Sequence, residues 1–380
     1  MEDLKEGPRA ARLDELQDVI QIVNSIFLPR ERFIFSMSEV FPHVFTEDNL
    51  DNIRVIVRDG KPVSHLCIWE GELHIYGVWL KVGLIGCVCT HPEYRRRGYG
   101  SLLVKDALIK MKKDGVDLVM VSGFRSLYRR FGCIEAGRVY HYILEKDRLS
   151  QENINLNIEE YKGDSLRSLI EVYQREPVRY RRSINEFRLL AERGINSNIP
   201  LKIYIARIRD FPIAYVSTGL TPEERVEISE YAGSRSAVIQ LLGYIQRTIR
   251  GRPLGLFVPH HDWELISLLE ERGLRKPPSQ AIASMAIINP ESFLRKLKPY
   301  LEERMELSSF EINESKGVVK LVINGKETIF KKSEDITAFF FGIPEKVRYP
   351  LQREMLVKPY PKSLKEILPL PTPIYGLNYL

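Results

Sequence analysis

The chain has 380 residues, 44% hydrophobic and 28% charged, with a formal net charge of +6. That is the balance of a soluble globular protein of two or three domains, and so mild a positive charge points to no nucleic-acid partner. Apolar runs stay well short of the roughly 20 residues a membrane span needs, and the charged start Met1-Glu-Asp-Leu-Lys-Glu6 lacks an apolar signal segment. A cytoplasmic protein with no membrane contact is the expectation.

Four cysteines (Cys67, Cys87, Cys89, Cys133) are too few for a disulfide scaffold. With no Cys-x-x-Cys pair or His cluster, no metal site is expected either, and the thiols read as small core residues in a reducing compartment. His260 and His261, neighbours on one element, point apart and read as loop or surface histidines.

In chain order, Leu13, Leu16, Val19, Ile20, Val23 and Phe27 recur at helical spacing, with Pro29 ending that helix. A Phe-rich segment (Phe33, Phe35, Phe41, Phe45) reads as helix and loop beside a cleft. Strands are expected over 53–57, 62–69, 73–80 and 82–90, with Asp59-Gly60 as a hairpin turn. The last of them runs into His91-Pro-Glu-Tyr-Arg-Arg-Arg-Gly-Tyr-Gly-Ser101 and then a helix to about Lys113. Residues 118–122, uncharged and bounded by Gly123, suit a buried parallel strand.

The turn between strand and helix carries chemistry. Gly98 and Gly100 let backbone N–H groups approach a ligand with no Cβ in the way. The helix N-terminus behind them offers unpaired donors and partial positive charge, and Arg95, Arg96 and Arg97 add full charges. This specifies a pyrophosphate cradle, whose phosphates could belong to ATP, a dinucleotide or coenzyme A. A P-loop would end in Lys-Ser/Thr, which is missing, and the third glycine of a dinucleotide fingerprint is replaced by Leu103. The alternative is a surface turn with charged decoration.

What remains, Arg-x-x-Gly-x-Gly (Arg95, Gly98, Gly100), resembles the acetyl-coenzyme A signature of the GNAT superfamily of N-acetyltransferases. The resemblance implies a mixed α/β sheet in which two parallel strands splay. The backbone of Val88, Cys89 and Thr90 would take the pantetheine arm as an added strand. Arg95, Arg96, Arg97, Gly98, Tyr99, Gly100 and Ser101 would hold the pyrophosphate. Leu127-Tyr128-Arg-Arg-Phe-Gly132 comes directly after the second splayed strand. A phenol there can protonate the departing thiolate, a role the family resemblance gives to Tyr128. The alternative is a ring packed on the core.

A second region repeats the order of elements: helices over 164–175 and 184–193, a hairpin over 202–216, and strands over 225–231 and 253–258. Helices over 236–250 and 263–272 and a strand over 281–287 complete it. Its strand-to-helix turn, Glu230-Tyr-Ala-Gly-Ser-Arg-Ser236, lacks the phosphate pattern, so a degenerate copy is expected. The basic run Arg179-Tyr-Arg-Arg182 could make salt bridges or an interface, but reads first as a solvated charged face. The third region has a proline-started helix over 290–305, and short strands over 309–312, 317–323 and 327–331 with an Asn324-Gly325 turn. After them come a helix over 333–341, N-capped by Ser333, and a proline-dense tail, Leu368-Pro-Leu-Pro-Thr-Pro-Ile-Tyr-Gly-Leu-Asn-Tyr-Leu380.

This three-part order resembles the enhanced intracellular survival protein family. The resemblance implies a catalytic GNAT domain over 1–150, a degenerate one over 151–287, and a sterol-carrier-like α+β domain over 288–380. In that family the terminal carboxylate returns to the active site as base, which here falls to Leu380. It further implies acetyl-coenzyme A as co-substrate, an amine-bearing small molecule or peptide as acceptor, and a homotrimer or hexamer. The competing reading is a non-catalytic acyl-coenzyme A-sensing or lipid-binding protein. Glu93 and Glu135 are the carboxylates near the site in sequence, with no dense acidic cluster around it.

Overall fold

The computed structural model describes residues 5–28, 35–145, 148–149, 155–196, 199–220, 225–249, 252–349 and 360–380. Pro29, Phe33 and Arg250 lie outside them. The first half contains β1 (Lys5–Ala10), α1 (Leu16–Phe27), α2 (Met37–Val40), β2 (Ile53–Arg58), β3 (Lys61–Ile75) and β4 (Val78–Thr90). It continues with α3 (Tyr99–Lys113), β5 (Leu118–Val121), α4 (Ser126–Arg129), β6 (Ile134–Glu135) and β7 (Val139–Leu144). Next come β8 (Asn157–Glu160), α5 (Leu166–Tyr173), β9 (Val178–Tyr180), α6 (Ile184–Glu192), β10 (Ile195–Asn196) and β11 (Ile199–Pro200). The chain goes on through β12 (Lys202–Ile208), β13 (Phe211–Leu220), β14 (Val226–Gly233), α7 (Arg235–Thr248), β15 (Leu254–Pro259), α8 (Trp263–Glu271) and β16 (Ser284–Ile287). The last part has α9 (Pro290–Glu302), β17 (Phe310–Ser315), β18 (Val318–Ile323), β19 (Lys326–Phe330) and α10 (Ser333–Phe341).

Among the described residues these form two mixed sheets, a three-stranded antiparallel sheet and the short antiparallel pair β10-β11. The first runs β1-β2-β3-β4-β5-β16-β6, with β9 also pairing to β3; the second runs β7-β15-β14-β13-β12-β8; the third is β17-β18-β19. In each large sheet one parallel pair stands among antiparallel neighbours: β4 with β5, and β14 with β15. The halves exchange strands beside those pairs. β16, from late in the chain, lies antiparallel on β5, while β7 crosses to lie antiparallel on β15. The strand expected near 281–287 as the last of the second region therefore belongs to the first sheet.

Other expectations shift at their edges. Residues 62–80 form no pair of short strands. β3 runs unbroken to Ile75 and turns at Tyr76-Gly77, both with positive φ (42° and 91°). Gly71 sits inside it because a Cβ there would collide with the Trp69 ring. Lys332, not Ser333, occupies the N-cap of α10. The four thiols are free and buried, as expected. Among the described residues no helix is long and apolar enough to cross a membrane, and no cluster of metal ligands occurs.

The third unit is tied to the first through Asp117, whose side chain is fully buried. It accepts from Lys296 Nζ (2.6 Å), Ser292 Oγ (2.6 Å) and the Lys81 N–H (2.8 Å). The interior of this unit is filled by Phe293, Phe340 and Phe341, at most 1% exposed.

Candidate active site

The turn expected to hold a pyrophosphate forms as its glycines require. After Thr90 the chain makes one 3-10 turn (Pro92–Tyr94), then extends at Arg95. Arg96 and Gly98 both take left-handed φ (63° and 79°). Left-handed residues among right-handed ones turn successive N–H groups to one side, a concave anion nest. Gly98 is the N-cap of α3, where no side chain caps the helix and no acidic residue sits in the first turn. The helix N-terminus keeps its donors for a ligand. Lys110, Lys112 and Lys113 in the last turn complement the opposite end of the dipole.

The three arginines are not equivalent. Arg95 Nε donates to the Thr90 carbonyl (3.2 Å), and Arg97 lies over the Tyr94 ring at 5.1 Å. Arg95, Arg96, Arg97 and Gly98 are exposed, Tyr99 is buried, and Gly100 and Ser101 are half-buried. A fourth cation arrives from outside the motif: Arg130 Nη2 donates to Ser101 Oγ at 3.2 Å.

Behind the turn, β4 leaves β5. Their parallel pairing runs from Val82↔Leu118 to Ile85↔Val121 and stops. The register against β3 slips at the same place, since His65 pairs with Cys89 but Cys67 with Gly86. The extra residue makes a bulge at Cys87, with φ of 52°, and a bulge bends its strand and re-aims the residues beyond it. Val88, Cys89 and Thr90 lie on the departing arm. Ser64 Oγ already donates to the Cys89 carbonyl (2.9 Å) and contacts Thr90 Oγ1 (2.8 Å).

Tyr128 lies in α4, a single turn beyond β5, and is 5% exposed. Its ring passes over Gly123, where a Cβ would come within 2.8 Å of Tyr128 Cε2 and 3.5 Å of its hydroxyl. Burial pushes the phenol up, Arg125 pulls it down, and the Cys133 and Cys87 thiols push it up again. The group stays protonated through neutral pH.

The tail arrives from the far end of the chain. Leu380 is 2% exposed and lies on Gly86, the first residue of β4 past its last pairing with β5. A Cβ on Gly86 would stand 2.5 Å from Leu380 Cγ and 2.8 Å from its carboxyl carbon. Tyr375 is buried, and its phenol is raised by burial and then by Tyr180, Tyr379, Tyr128 and Cys133. The tail's aromatic end therefore shares the neighbourhood of Tyr128.

Beside it is a cavity of about 480 Å³ between the two large sheets, walled by Phe124, Ile228, Tyr231, Phe257, Tyr375 and Tyr379. Two carboxylates, Glu135 and Glu227, also line it. Glu135 is raised by burial; it accepts from the Arg348 N–H (2.9 Å), and the Arg348 guanidinium is 3.7 Å away. Glu227 accepts from Arg225 Nε at 2.5 Å. Glu93, by contrast, is exposed at the phosphate turn.

The equivalent turn of the second sheet is built differently. Ser234 caps α7 with its own side chain, accepting from the Ala237 N–H. Arg235 is held by Glu176 (2.8 Å) and Asp262 (2.9 Å). Protein carboxylates occupy the cation there.

Residues 8–136 match the profile of the acetyltransferase (GNAT) domain. The match covers about a third of the chain, and this segment is similar to the acetyltransferase domains of that family. The matched residues include the Gly98 turn, the strands β4 and β5, and Tyr128. The fold of the chain is similar to that of a GCN5-related N-acetyltransferase from Anabaena variabilis (TM-score 0.66, 18% identity, 88% of this chain and 89% of that one). A GCN5-related N-acetyltransferase from Kribbella flavida aligns over 100% of this chain and 99% of that one (TM-score 0.66, 14% identity). Eis1 from Mycobacterium abscessus aligns over 98% and 99% (TM-score 0.65, 14% identity). At these identities the likeness is one of fold. No curated protein sequence matches the chain.

Sequence reasoning missed Gly86, Arg130, Arg182, Glu230 and Tyr375. Tyr375 carried a signal as part of an apolar, aromatic tail, and Arg182 as part of a basic run read first as solvated.

Proposed function

We propose that the chain is an acetyl-coenzyme A-dependent N-acetyltransferase that acetylates a primary amine on a small molecule or peptide. The nest at Arg96–Gly98 and the open N-terminus of α3 take the pyrophosphate, and the arm from Val88 to Thr90 takes the pantetheine. The amine nitrogen attacks the thioester carbonyl carbon, a C–N bond forms, and the C–S bond breaks. The ammonium proton passes to the Leu380 carboxylate, directly or through water. The leaving thiolate takes the phenolic proton of Tyr128, which solvent restores. The observation that carries this reading is the Leu380 carboxyl carbon lying against Gly86, where β4 leaves β5.

The cavity suits an amine with an apolar or aromatic body. Its walls are aromatic, and each of its two carboxylates already faces an arginine. A polycation would need unbalanced negative charge there. The second sheet, with its carboxylate-filled turn, is read as a copy that binds no nucleotide. The third, sterol-carrier-like unit is read as a scaffold for the tail, its centre being filled by phenylalanines.

The test is thiol release from acetyl-coenzyme A across a panel of amines, for wild type, Tyr128→Phe and a Leu380 deletion. Both variants should be slowed roughly 100-fold or more. If neither is slowed, the acid and base assignments fall. If coenzyme A raises Tm while no amine is acetylated, an acyl-coenzyme A sensor replaces the enzyme.

A further inference from the structure

The second sheet opens as the first does. Pairing of β14 with β15 ends at Ile228↔Leu256, and two residues further along β14 stands Glu230. Here a piece of the tail, not a nucleotide, lies against the opened strand. The Leu377 N–H donates to Glu230 Oε2 (3.0 Å). Gly376 passes so close that a Cβ there would collide with the Glu230 carboxylate.

Glu230 is paired with Arg182, and the two side chains are 5% and 1% exposed. Arg182 makes a two-pronged contact, Nη1 to Oε1 at 2.9 Å and Nη2 to Oε2 at 2.6 Å. Its Nε donates to Asn378 Oδ1 at 2.7 Å. Tyr215 donates to Glu230 Oε1 (2.6 Å), and the Arg182 guanidinium lies 4.1 Å over the Tyr173 ring. A second buried cation, Arg193, donates from Nη2 to the Leu377 carbonyl (2.9 Å) and from Nη1 to the Val40 carbonyl (3.2 Å).

A buried ion pair is sustained only when its remaining lone pairs and protons are satisfied. This one is completed by the tail itself. Both the backbone and the side chain of residues 377–378 are bonded, so the tail's height and its rotation are fixed together. Asn378 and Leu380 are two residues apart, a span of at most about 7 Å. Holding one therefore fixes the other, whereas an unheld chain end frays.

We propose that this opening in the second sheet is a lock for the tail. Arg182 and Glu230 act as positioning residues that hold Asn378 and thereby set the Leu380 carboxyl over Gly86. The inference rests on the reading of Leu380 as base. It gives the second sheet a task in the reaction.

The experiment is a double-mutant cycle in the full chain. Asn378→Ala removes the amide that Arg182 Nε holds and leaves the ion pair in place. It should lower kcat by about 10- to 100-fold, the cost of a misplaced catalytic group, with KM for acetyl-coenzyme A unchanged. In a chain lacking Leu380 the terminal carboxylate falls on Tyr379, off Gly86, and the same substitution should cost nothing further, because the position it sets is already lost. Arg182→Lys, which keeps the charge and loses the fork, should behave in the same way. Circular dichroism and Tm establish that each variant is folded. An equal loss in both backgrounds would make the contact merely structural and overturn the proposal, as would wild-type kcat in Asn378→Ala. Wild-type kcat on deleting Leu380 also overturns it, and with it the base assignment. A wild-type enzyme that acetylates no amine contradicts the activity itself, a separate failure.

Discussion

Replacing Gly86 by alanine adds one methyl group where the tail meets the splayed strand. Gly86 is buried and its φ is not in the positive region, so alanine fits the backbone. The new Cβ, however, would stand 2.5 Å from Leu380 Cγ and 2.8 Å from its carboxyl carbon. Carbon atoms not bonded to each other settle at about 3.5–4.0 Å, so roughly 1 Å must be found. Two outcomes compete. If the tail stays, overpacking costs about 1–3 kcal/mol of stability. If the last two residues lift, the strain is relieved at a chain end anchored upstream at Leu377 and Asn378. Lifting is the cheaper response, and a 1 Å misplacement of a catalytic group costs about 100-fold in rate, or about 2.7 kcal/mol on the barrier. Steady-state kinetics with a good amine should show kcat down by about that factor, KM for acetyl-coenzyme A unchanged and Tm nearly so. A Gly86→Ala enzyme with wild-type kcat would refute the reasoning.

The site and the core set three further outcomes. Tyr128→Phe should lower kcat by roughly 100- to 10,000-fold at saturating co-substrate, read as thiol release; a loss confined to KM would assign Tyr128 to binding. Arg96→Ala, removing charge beside the nest, should raise KM for acetyl-coenzyme A roughly tenfold, since a bond to a charged group contributes about 1.5–3 kcal/mol, and leave kcat intact. Fully buried His65 has its pKa lowered from 6.5 to about 3, chiefly by burial. The unfolded chain therefore binds the extra proton between those values, and stability falls as pH drops below about 6.5. At pH 5 the deficit is about 2 kcal/mol, from 1.5 pH units at 1.36 kcal/mol each. His65→Gln should shrink the difference in unfolding free energy between pH 8 and pH 5 by about that amount. An unchanged difference would show that His65 is not the group responsible.

How much of this was legible in the sequence depended on whether the partner was local. The Gly98 turn was, because a glycine N-cap, a basic run and an amphipathic helix are adjacent in the chain. The position of Tyr128 just beyond β5 was legible for the same reason, while its role as acid is a proposal. Residues 62–80 were divided in the wrong place because Glu70-Gly71-Glu72 has the composition of a turn. In the fold Gly71 makes room for Trp69, and the glutamates pair with Lys81, Lys110 and Arg181. The exchange of β7 and β16 left no trace, since periodicity tells which face of a strand is buried but not which strand lies beside it. Arg182 was the instructive failure. A basic run looks solvated until its partner is known, and that partner, Glu230, lies 48 residues further on.

The central claim is that this chain moves an acetyl group onto an amine. Incubation of the full-length protein with isotopically labelled acetyl-coenzyme A and aryl-bearing primary amines, with detection by mass spectrometry, tests it most directly. The account predicts a labelled amide in equal amount to the free coenzyme A formed, with both lost when Leu380 is removed. Free coenzyme A without an amide, or an amide formed equally well without Leu380, would contradict it.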